Sequence, residues 1–359
     1  MNDLPRRAWV DVDLGALVRN AQTMQRRASV PLLPMVKADA YGLGAVPVVR
    51  ALEKTRPWGY GVATIREGEE LRKAGIARPI VVFTPLLVDD FLAARRANLT
   101  PTLGDPTAIA AWSESGAPWH LAIDTGMHRA GIAPPELGAI ADLVKQAPPE
   151  GAYTHFYAAD TDVDAMEAQQ AAFDAAIAAL PERPRYLHAE NSPAIERQSP
   201  SQWDLARPGI FLYGVSTAAD SGVSALPVAH FRGRVVELRT VAPGAGVSYR
   251  HTWHAPENSA RRIATINAGY GDGVRRALGN RAHALVRGRE APIVGVVTMD
   301  MTMLDVTDIA CEVGDQVTFF GQDGNALIDL GAMAQAVELS PYEILTGLRQ
   351  RAERRYIGA

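Results

Sequence analysis

Lys37 is the residue of this sequence whose position best suits covalent chemistry. It directly follows the apolar run 32–36 and precedes the short motif 38–42. An ammonium group beside buried apolar residues must be paired, or burial lowers its pKa. A lysine with a lowered pKa is what Schiff-base formation with an aldehyde requires. The alternative is a lysine whose stem is buried while its ammonium group reaches solvent, and Lys37 alone does not separate the two.

Other polar residues occur where predicted strands end. Lys37 ends the first strand, residues 124–129 follow the fifth, His155 ends the sixth, residues 191–193 follow the seventh, and residues 207–210 span the eighth. In parallel barrels the carboxyl ends of the strands form the active-site face, and loops after the seventh and eighth strands often hold phosphate. Residues 191–193 also suit the capped start of a helix, which is a phosphate site or an ordinary cap.

The strands that must position these residues are short apolar runs that alternate with helix-like segments. We predict strands at residues 32–36, 58–63, 79–83, 99–103, 120–123, 152–155, 186–189 and 210–212. Several runs are apolar on both faces, as in buried parallel strands. The intervening segments include a charged helix at 66–75 that a glycine closes, and an alanine-rich helix at 165–180. The alternation predicts a (β/α)₈ barrel, with a doubly wound open sheet as the alternative.

The pattern changes near residue 230. Strand-like runs now lie between Gly and Pro, which predicts a mainly antiparallel β domain with one late helix at 330–337. These runs are residues 234–241, 263–267, 284–287, 293–297 and 317–320. The predicted fold class is therefore α/β plus β, with a barrel over residues 11–228 and a β domain over 229–359. Residues 1–10 are a candidate addition to the β domain. The run 8–12 is a strand of either domain.

The composition argues against several classes of function, including nucleic-acid binding and membrane binding. The chain has 359 residues, of which 47% are hydrophobic and 21% charged, with a net charge of −4. This balance predicts a soluble protein and gives no basic surface for nucleic acid or membrane. One cysteine, Cys311, excludes a disulfide within the chain, and we expect a cytoplasmic protein without signal peptide or membrane span. His251 and His254 lack accompanying ligands, so no metal is expected.

A series of motifs resembles the bacterial alanine racemase family. They occur in that family's order and spacing, from about residue 8 to the C-terminus. The motifs are residues 36–42, 123–129, 154–156, 191–193, 207–210, 246–249, 269–273, 298–301 and 341–343. The resemblance implies a barrel that binds pyridoxal 5'-phosphate and a C-terminal β domain that completes the active site of a partner in a head-to-tail homodimer.

The resemblance also implies catalytic roles. Lys37 would carry the cofactor and act as one base, and Tyr249 of the partner subunit would act on the opposite face of the substrate. Arg207 would contact the pyridine nitrogen, and His155 would lie between Arg207 and Tyr249. A tyrosine titrates near pH 10 in water, so positive charge from Arg207 acting through His155 would be needed to lower its pKa. Because arginine stays protonated, it would keep the ring nitrogen unprotonated and the electron sink weak.

The remaining implied roles are in binding. Arg129 and the backbone of Met299 would bind the ring oxygen and the substrate carboxylate. The implied cofactor and phosphate ligands are Tyr41, Asn191, Ser192, Tyr342 and the N–H groups of Gly209 and Ile210. The expected reaction is interconversion of L- and D-alanine. Whether serine is also used, and whether D-alanine serves peptidoglycan synthesis or alanine is catabolised, is left open.

Four positions depart from the family pattern. Ala122 stands where many members carry a carbamylated lysine that braces the active-site arginine, here Arg129, and Leu43 replaces a usual histidine. Val296 and Thr298 replace an arginine and a cysteine. The missing arginine belongs to a substrate access path, to which Asp160 and Arg276 also correspond.

Two other functions compete with racemisation. A basic-amino-acid decarboxylase shares the expected architecture but places an acidic residue at the pyridine nitrogen, where this chain has Arg207. A pyridoxal-phosphate carrier shares the barrel but lacks a β domain. The arginine and about 130 residues of β domain favour the racemase.

Overall fold

The computed structural model describes residues 7–358, apart from the side chain of Ala219. Residues 1–6, which belong to the segment 1–10 expected beside the β domain, lie outside the described residues, as does Ala359. The strands are β1 Trp9–Asp13, β2 Tyr60–Val62, β3 Ile80–Val82, β4 Thr100–Leu103, β5 His120–Ala122, β6 Gly151–Tyr153, β7 Tyr186–His188, β8 Ala229–Val241, β9 Gly246–Val247, β10 Trp253–His254, β11 Arg261–Ile266, β12 His283–Val286, β13 Arg289–Pro292, β14 Thr302–Asp305, β15 Gln316–Asp323, β16 Ala326–Ile328 and β17 Glu353–Ile357.

The helices connect and cover these strands. They are α1 Leu14–Ala28, α2 Lys37–Gly42, α3 Ala45–Leu52, α4 Ile65–Lys73, α5 Phe91–Arg96, α6 Pro106–Ser113, α7 Ala141–Gln146, α8 Val163–Ala178, α9 Ser192–Arg197, α10 Leu330–Ala336 and α11 Pro341–Thr346. Short 3₁₀ helices occur at Glu53–Thr55, Val88–Asp90, Pro134–Ile140, Ile210–Tyr213, Ala219–Ser221, Tyr249–His251 and Arg276–Leu278.

The first half of the chain is a parallel barrel, as predicted. Strands β2 to β7 form a six-stranded parallel sheet in chain order. Two further segments complete the ring through isolated parallel bridges, Met35 with Gly61 and Leu32 with Ala206. Backbone hydrogen bonds reinforce these bridges, including Leu33 N–H to Ala206 C=O at 2.8 Å. The predicted strand at 32–36 therefore lies in the barrel wall but contributes bridges rather than a full ladder.

The eighth predicted strand, residues 210–212, is wrong. Ile210–Tyr213 is a 3₁₀ helix, and residues 205–208 occupy the eighth position of the barrel. The side chains of this 3₁₀ helix are almost completely buried. A short apolar run that is buried on all sides does not reveal whether it is a strand or a helical turn.

Local sequence signals explain where the barrel helices begin and end. Thr64 and Glu67 form a reciprocal capping box at the start of α4. Gly75, with φ at +87°, terminates the same segment in a conformation that favours glycine. Leu71 is fully buried on the inner face of this helix. Helix α4 packs near α2, which carries Lys37.

The second half is built around one long strand. β8 pairs antiparallel with β1, β11 and β15, and β1 pairs in parallel with β17. The chain thus brings its first and last described strands into this sheet. The predicted strand at 293–297 is wrong, since only Ile293 forms a bridge, to Leu304. Gly295, with φ at +73°, turns the chain there, and the strands β13 and β14 lie on either side.

Candidate active site

The segment that carries Lys37 is a left-handed helical turn. The four residues after Lys37 have φ between +52° and +57°. For L-residues this conformation costs about 1–2 kcal/mol per residue, so other groups must hold it. The Ala38 N–H donates to Glu67 Oε1 at 2.8 Å, and the Ala45 N–H donates to Asp39 Oδ1 at 2.6 Å. These contacts from α4 and α3 fix the lysine at the barrel mouth.

The ammonium group of Lys37 is destabilised in this position. Burial lowers its pKa from the ordinary value of 10.5, and the positive charges of Arg129 and Arg207 lower it further, against an opposing contribution from Glu67. Desolvation disfavours the charged amine, and nearby cations add to that effect. The lowered pKa increases the neutral fraction, which is the reactive form toward an aldehyde. Of the two alternatives that the sequence left open for Lys37, this corresponds to the desolvated amine.

Two adjoining cavities meet at Lys37. One has a volume of about 320 Å³ and extends toward Ala122, Asp124 and Arg129. The other has a volume of about 250 Å³ and extends toward the polar side chains of Tyr41, Ser192 and Tyr342. The shared lining residues are Lys37, Phe83, Arg129, Tyr153 and His155. The pair leaves space for a planar group bound to the lysine and for a small substrate beside it.

The second cavity has the polar lining expected of a phosphate site. Tyr41, Ser192 and Tyr342 border it together with Gly209, and Asn191 is also in its wall. The rings of Tyr41 and Tyr342 lie 5.8 Å apart. A Cβ placed at Gly209 would lie 2.6 Å from the Tyr41 hydroxyl, so glycine is needed for this close approach.

The backbone at Gly209 is already engaged. Its N–H, expected to hold phosphate, donates to Ser192 Oγ at 2.8 Å, and the Phe211 N–H donates to the same oxygen at 3.3 Å. Ser192 Oγ therefore accepts twice and its hydroxyl hydrogen is available as a donor. Hydroxyls from Tyr41, Tyr342 and Ser192 beside a half-buried lysine fit a flat phosphorylated aldehyde such as pyridoxal phosphate.

Arg207 is held by strand ends rather than by carboxylates. It is 3% exposed, and burial lowers its pKa to about 10, which still leaves it protonated near neutral pH. Its two Nη atoms donate to the carbonyls of Thr154, His188 and Ala189, and one also donates to His188 Nδ1 at 2.9 Å. Among the described residues no partner engages its Nε–H, which leaves this donor for a ligand.

His188, which contacts Arg207, in turn contacts a second histidine, His120. Because arginine only donates, His188 Nδ1 must accept, and its proton lies on Nε2. That nitrogen is 2.8 Å from His120 Nδ1, so His188 donates to His120. Burial, with help from Arg207, lowers the pKa values of both histidines, that of His120 to about 3. Two neutral histidines therefore support the guanidinium.

Sequence reasoning did not identify His188 or His120. We expected His155 beside Arg207, and His155 does line both cavities, where burial lowers its pKa to about 3. The histidine that bonds Arg207 within the described part of the chain is nevertheless His188. His188 ends β7, so the rule that selected His155 at a strand end would also have selected it. His120 begins its strand and carries no such signal.

Arg129 lies at the open side of the first cavity. It is exposed, and within residues 7–358 no carboxylate forms an ion pair with it. Ala122 borders the same cavity and is 4% exposed. The alanine side chain has no group that could brace the arginine.

Tyr249 and Met299 lie on a different surface, in the β domain. Tyr249 is 69% exposed and Met299 is 52% exposed. Together they line a surface pocket that contains no residue of the two Lys37 cavities. Tyr270, Val296 and Thr298 border the same pocket. Residues expected at one active site are thus divided between two regions of the chain.

Comparison with known proteins accounts for both regions. A sequence model of the alanine racemase N-terminal domain matches residues 12–217, and one of the alanine racemase C-terminal domain matches residues 228–356. The chain belongs to the alanine racemase family. Alanine racemases are isomerases, and the family match covers the Lys37 cavities and the Tyr249 surface alike.

Individual alanine racemases are similar over nearly their whole length. That of a Nostoc species is 34% identical over 97% of this chain and 95% of its own. That of Sorangium cellulosum is 36% identical over 98% and 99%. The crystal structure of alanine racemase from E. faecalis has a TM-score of 0.89 at 30% identity, with 99% of each chain covered. That from Bartonella henselae, which has covalently bound pyridoxal phosphate, has a TM-score of 0.90 at 28% identity over 98% and 100%.

No helix within residues 7–358 of this alanine racemase family member combines the length and the apolar character that crossing a bilayer requires.

Proposed function

We propose that this chain interconverts L- and D-alanine with pyridoxal 5'-phosphate held at Lys37. We further propose that Lys37 and Tyr249 of the partner subunit are the two proton-transfer groups. The observation that carries the proposal is the lowered pKa of Lys37 in a cavity bordered by the hydroxyls of Tyr41, Ser192 and Tyr342. Family membership supports the reaction, and the bound cofactor of the Bartonella henselae enzyme supports the cofactor.

The polar groups around the cavity have separate tasks in binding. Pyridoxal phosphate, when bound, supplies the electron sink that acidifies the α-proton of an amino acid. Tyr41, Tyr342 and Ser192 would hold its phosphate, with Asn191 and the N–H groups of Gly209 and Ile210 nearby. The free Nε–H of Arg207 would donate to the ring nitrogen. Because Arg207 stays protonated, it would donate a hydrogen bond there and leave that nitrogen without a proton of its own.

Substrate binding falls to the other cavity. Arg129 would bind the substrate carboxylate, and the backbone of Met299 of the partner subunit would contribute to the same contact. Lys37 Nζ would remove the α-proton from one face of one enantiomer, and would deliver a proton to that face in the reverse direction. A lysine with an ordinary pKa would be almost entirely protonated near neutral pH, whereas the lowered pKa makes a neutral amine available.

The opposite face needs a second group, since one base alone returns the proton to the side from which it came. The tyrosines that line the cavities, Tyr41, Tyr153 and Tyr342, have pKa values raised chiefly by burial of their hydroxyls, so they stay protonated. His155, with a pKa of about 3, is a weak base. The exposed phenol of Tyr249 is thus the better candidate. Its pocket shares no residue with the Lys37 cavities, so it would act from another copy of the chain.

The surface around Tyr249 is consistent with this assembly. Tyr249, Tyr270, Met299 and Met301 are large apolar side chains that are each more than two-fifths exposed. Contiguous exposed apolar surface is typical of protein–protein contact. A head-to-tail dimer in which this surface covers the barrel mouth of the partner would complete two equivalent sites.

The proposal is tested by removing the proton-transfer group on one face and measuring α-proton exchange. Purified protein with pyridoxal phosphate is incubated with L- or D-alanine, and the enantiomers are separated by chiral chromatography. In deuterium oxide, Tyr249→Phe should slow α-proton exchange of L-alanine by about 10²- to 10⁴-fold while the visible absorbance of bound cofactor persists. Tyr270→Phe, in the same surface pocket, is the matched control and should retain exchange.

Two outcomes would contradict the proposal at different levels. If the unmodified protein leaves both enantiomers of alanine unchanged, the reaction itself is wrong. If Tyr249→Phe exchanges the α-proton of L-alanine at the normal rate, the reaction stands but Tyr249 is not the second group.

A further inference from the structure

The last strand of the β domain contacts the turn that carries Lys37 within the same chain. Arg354 and Tyr356 are two residues apart in β17, so their side chains lie on the same face of the strand. Arg354 Nε and Nη2 donate to the Gly42 carbonyl at 2.9 and 2.8 Å. The Tyr356 hydroxyl donates to the Leu43 carbonyl at 3.2 Å. The end of the left-handed turn is thereby fixed by the second half of the chain.

The same guanidinium binds a second segment. Arg354 Nη2 also donates to the Leu348 carbonyl at 3.1 Å, and Nη1 donates to the carbonyls of Arg349 and Ala352 at 2.6 and 2.5 Å. Leu348 and Arg349 directly follow α11, the helix that carries Tyr342. One side chain therefore joins the turn that carries Tyr41 to the segment that carries Tyr342.

The two segments also touch directly. A Cβ placed at Gly42 would lie 2.6 Å from the Leu345 carbonyl oxygen of α11, and φ at Gly42 is +83°. The turn and α11 thus approach backbone to backbone at a position where only glycine fits. Arg354 bridges the two segments around this contact. Its guanidinium carries a lowered pKa because it is desolvated, and Asp39 partly opposes that effect.

We propose that Arg354 is a positioning residue for the phosphate site, because it sets the spacing between the hydroxyls of Tyr41 and Tyr342. This rests on the proposed function in one respect, that the phosphate is that of the cofactor. Arg354 acts through backbone carbonyls and touches no ligand. Its loss lets the turn and α11 separate, and the phosphate then loses simultaneous contact with both tyrosines.

The experiment measures how much the phosphate group contributes to binding. Protein stripped of cofactor is titrated with pyridoxal phosphate and with pyridoxal, and the two dissociation constants are obtained from absorbance. Arg354→Met should raise the dissociation constant for pyridoxal phosphate about tenfold, a change of the size given by one lost phosphate contact, and leave that for pyridoxal unchanged. Arg354→Lys, which keeps the charge and one donor direction, should recover part of the loss.

Arg355→Met is the matched control. Arg355 is the adjacent residue of β17, is likewise half-buried, and lies on the opposite face, where its Nε is 3.7 Å from Asp11 Oδ1. Its substitution removes the same charge and should leave the ratio of the two dissociation constants unchanged. Combining Arg354→Met with Tyr342→Phe should give less than the product of the single effects, because the two changes remove one shared contact.

The outcomes separate this inference from the proposed function. If Arg354→Met weakens both ligands equally, or weakens neither, Arg354 does not position the phosphate site and the inference is overturned. Independent, multiplicative effects of Arg354→Met and Tyr342→Phe would also overturn it. If the unmodified protein does not prefer pyridoxal phosphate over pyridoxal, the failure lies in the proposed phosphate site itself.

Discussion

The Lys37 cavities of the barrel and the Tyr249 surface of the β domain prepare a reactive group in opposite ways. In the barrel, burial lowers the pKa values of Lys37, His155 and Arg207, and neighbouring cations add to the effect at Lys37 and His155. On the β domain, Tyr249 is largely exposed, and its pocket is lined by apolar residues together with Arg276, Thr298 and Asp300. The barrel site is adjusted by its own fold, whereas under the proposed function the tyrosine acquires its reactive environment through assembly.

This difference predicts where substitutions act. Changes around Lys37 should alter cofactor binding and pKa within a single chain. Changes around Tyr249 should spare both and affect only the proton transfer that needs a second copy. The following predictions test that separation.

The largest effect is expected at Lys37 itself. Lys37→Ala removes the only amine among the lining residues of the two cavities, so the visible absorbance of bound cofactor should disappear and racemisation should fall about 10³-fold or more. Lys73→Ala, an exposed lysine on α4, is the control and should retain both. Normal absorbance in Lys37→Ala would mean that another group binds the cofactor.

A change at His188 should act in the barrel alone. His188→Phe keeps the ring that stacks on Tyr153 but removes the contacts with Arg207 and His120. Leaving buried polar partners unsatisfied costs about 1–3 kcal/mol of unfolding free energy, and racemisation should slow about tenfold. Urea unfolding and the alanine assay measure the two effects.

The exposed His283 on β12 provides the control for this substitution. His283→Phe should change the unfolding free energy by less than about 0.5 kcal/mol. An equal loss in both variants would show that His188 has no special role.

The smallest expected effect is a shift in the pH dependence of the rate at which Lys37 captures pyridoxal phosphate. The rate at which stripped protein captures pyridoxal phosphate should rise with pH with a midpoint below 10.5, because only neutral Lys37 reacts. Burial is the largest cause of the lowering and Arg129 the next, so Arg129→Met should move the midpoint upward while most of the lowering remains. Arg289→Met, at an exposed position of β13 that lines neither cavity, should leave the midpoint unchanged. A midpoint at 10.5 in the unmodified protein would contradict the account of Lys37.

The fold could be predicted from the sequence where patterns were periodic. The barrel and the antiparallel β domain follow from the change in pattern near residue 230, and β2 to β7 lie within two residues of their predicted positions. The eighth barrel strand was misplaced because the buried 3₁₀ helix Ile210–Tyr213 has the same apolar composition as a strand. Residues 293–297 were misread because their apolar run is turned by Gly295, and alternation does not show a turn.

Most residues of the candidate site could be named from the sequence, but the hydrogen bonds between them could not. The strand-end rule and the family motifs brought Lys37, Ser192 and Arg207 together before any coordinates. The pairing of Arg207 with His188 depends on the register between β7 and the next barrel segment, residues 205–208, which no short motif records. The contact of Arg354 with Gly42 is similarly hidden, since it joins residues 312 positions apart.

The central claim is that one active site draws on two copies of the chain, and subunit mixing tests it most directly. The Lys37→Ala and Tyr249→Phe proteins should each be nearly inactive. Native mass spectrometry verifies that mixed dimers form when the two are combined and allowed to exchange. In a mixed dimer one site carries both changes and the other carries neither, so racemisation should return to about a quarter of the unmodified level. A mixture that contains mixed dimers but stays as inactive as either parent would contradict the claim.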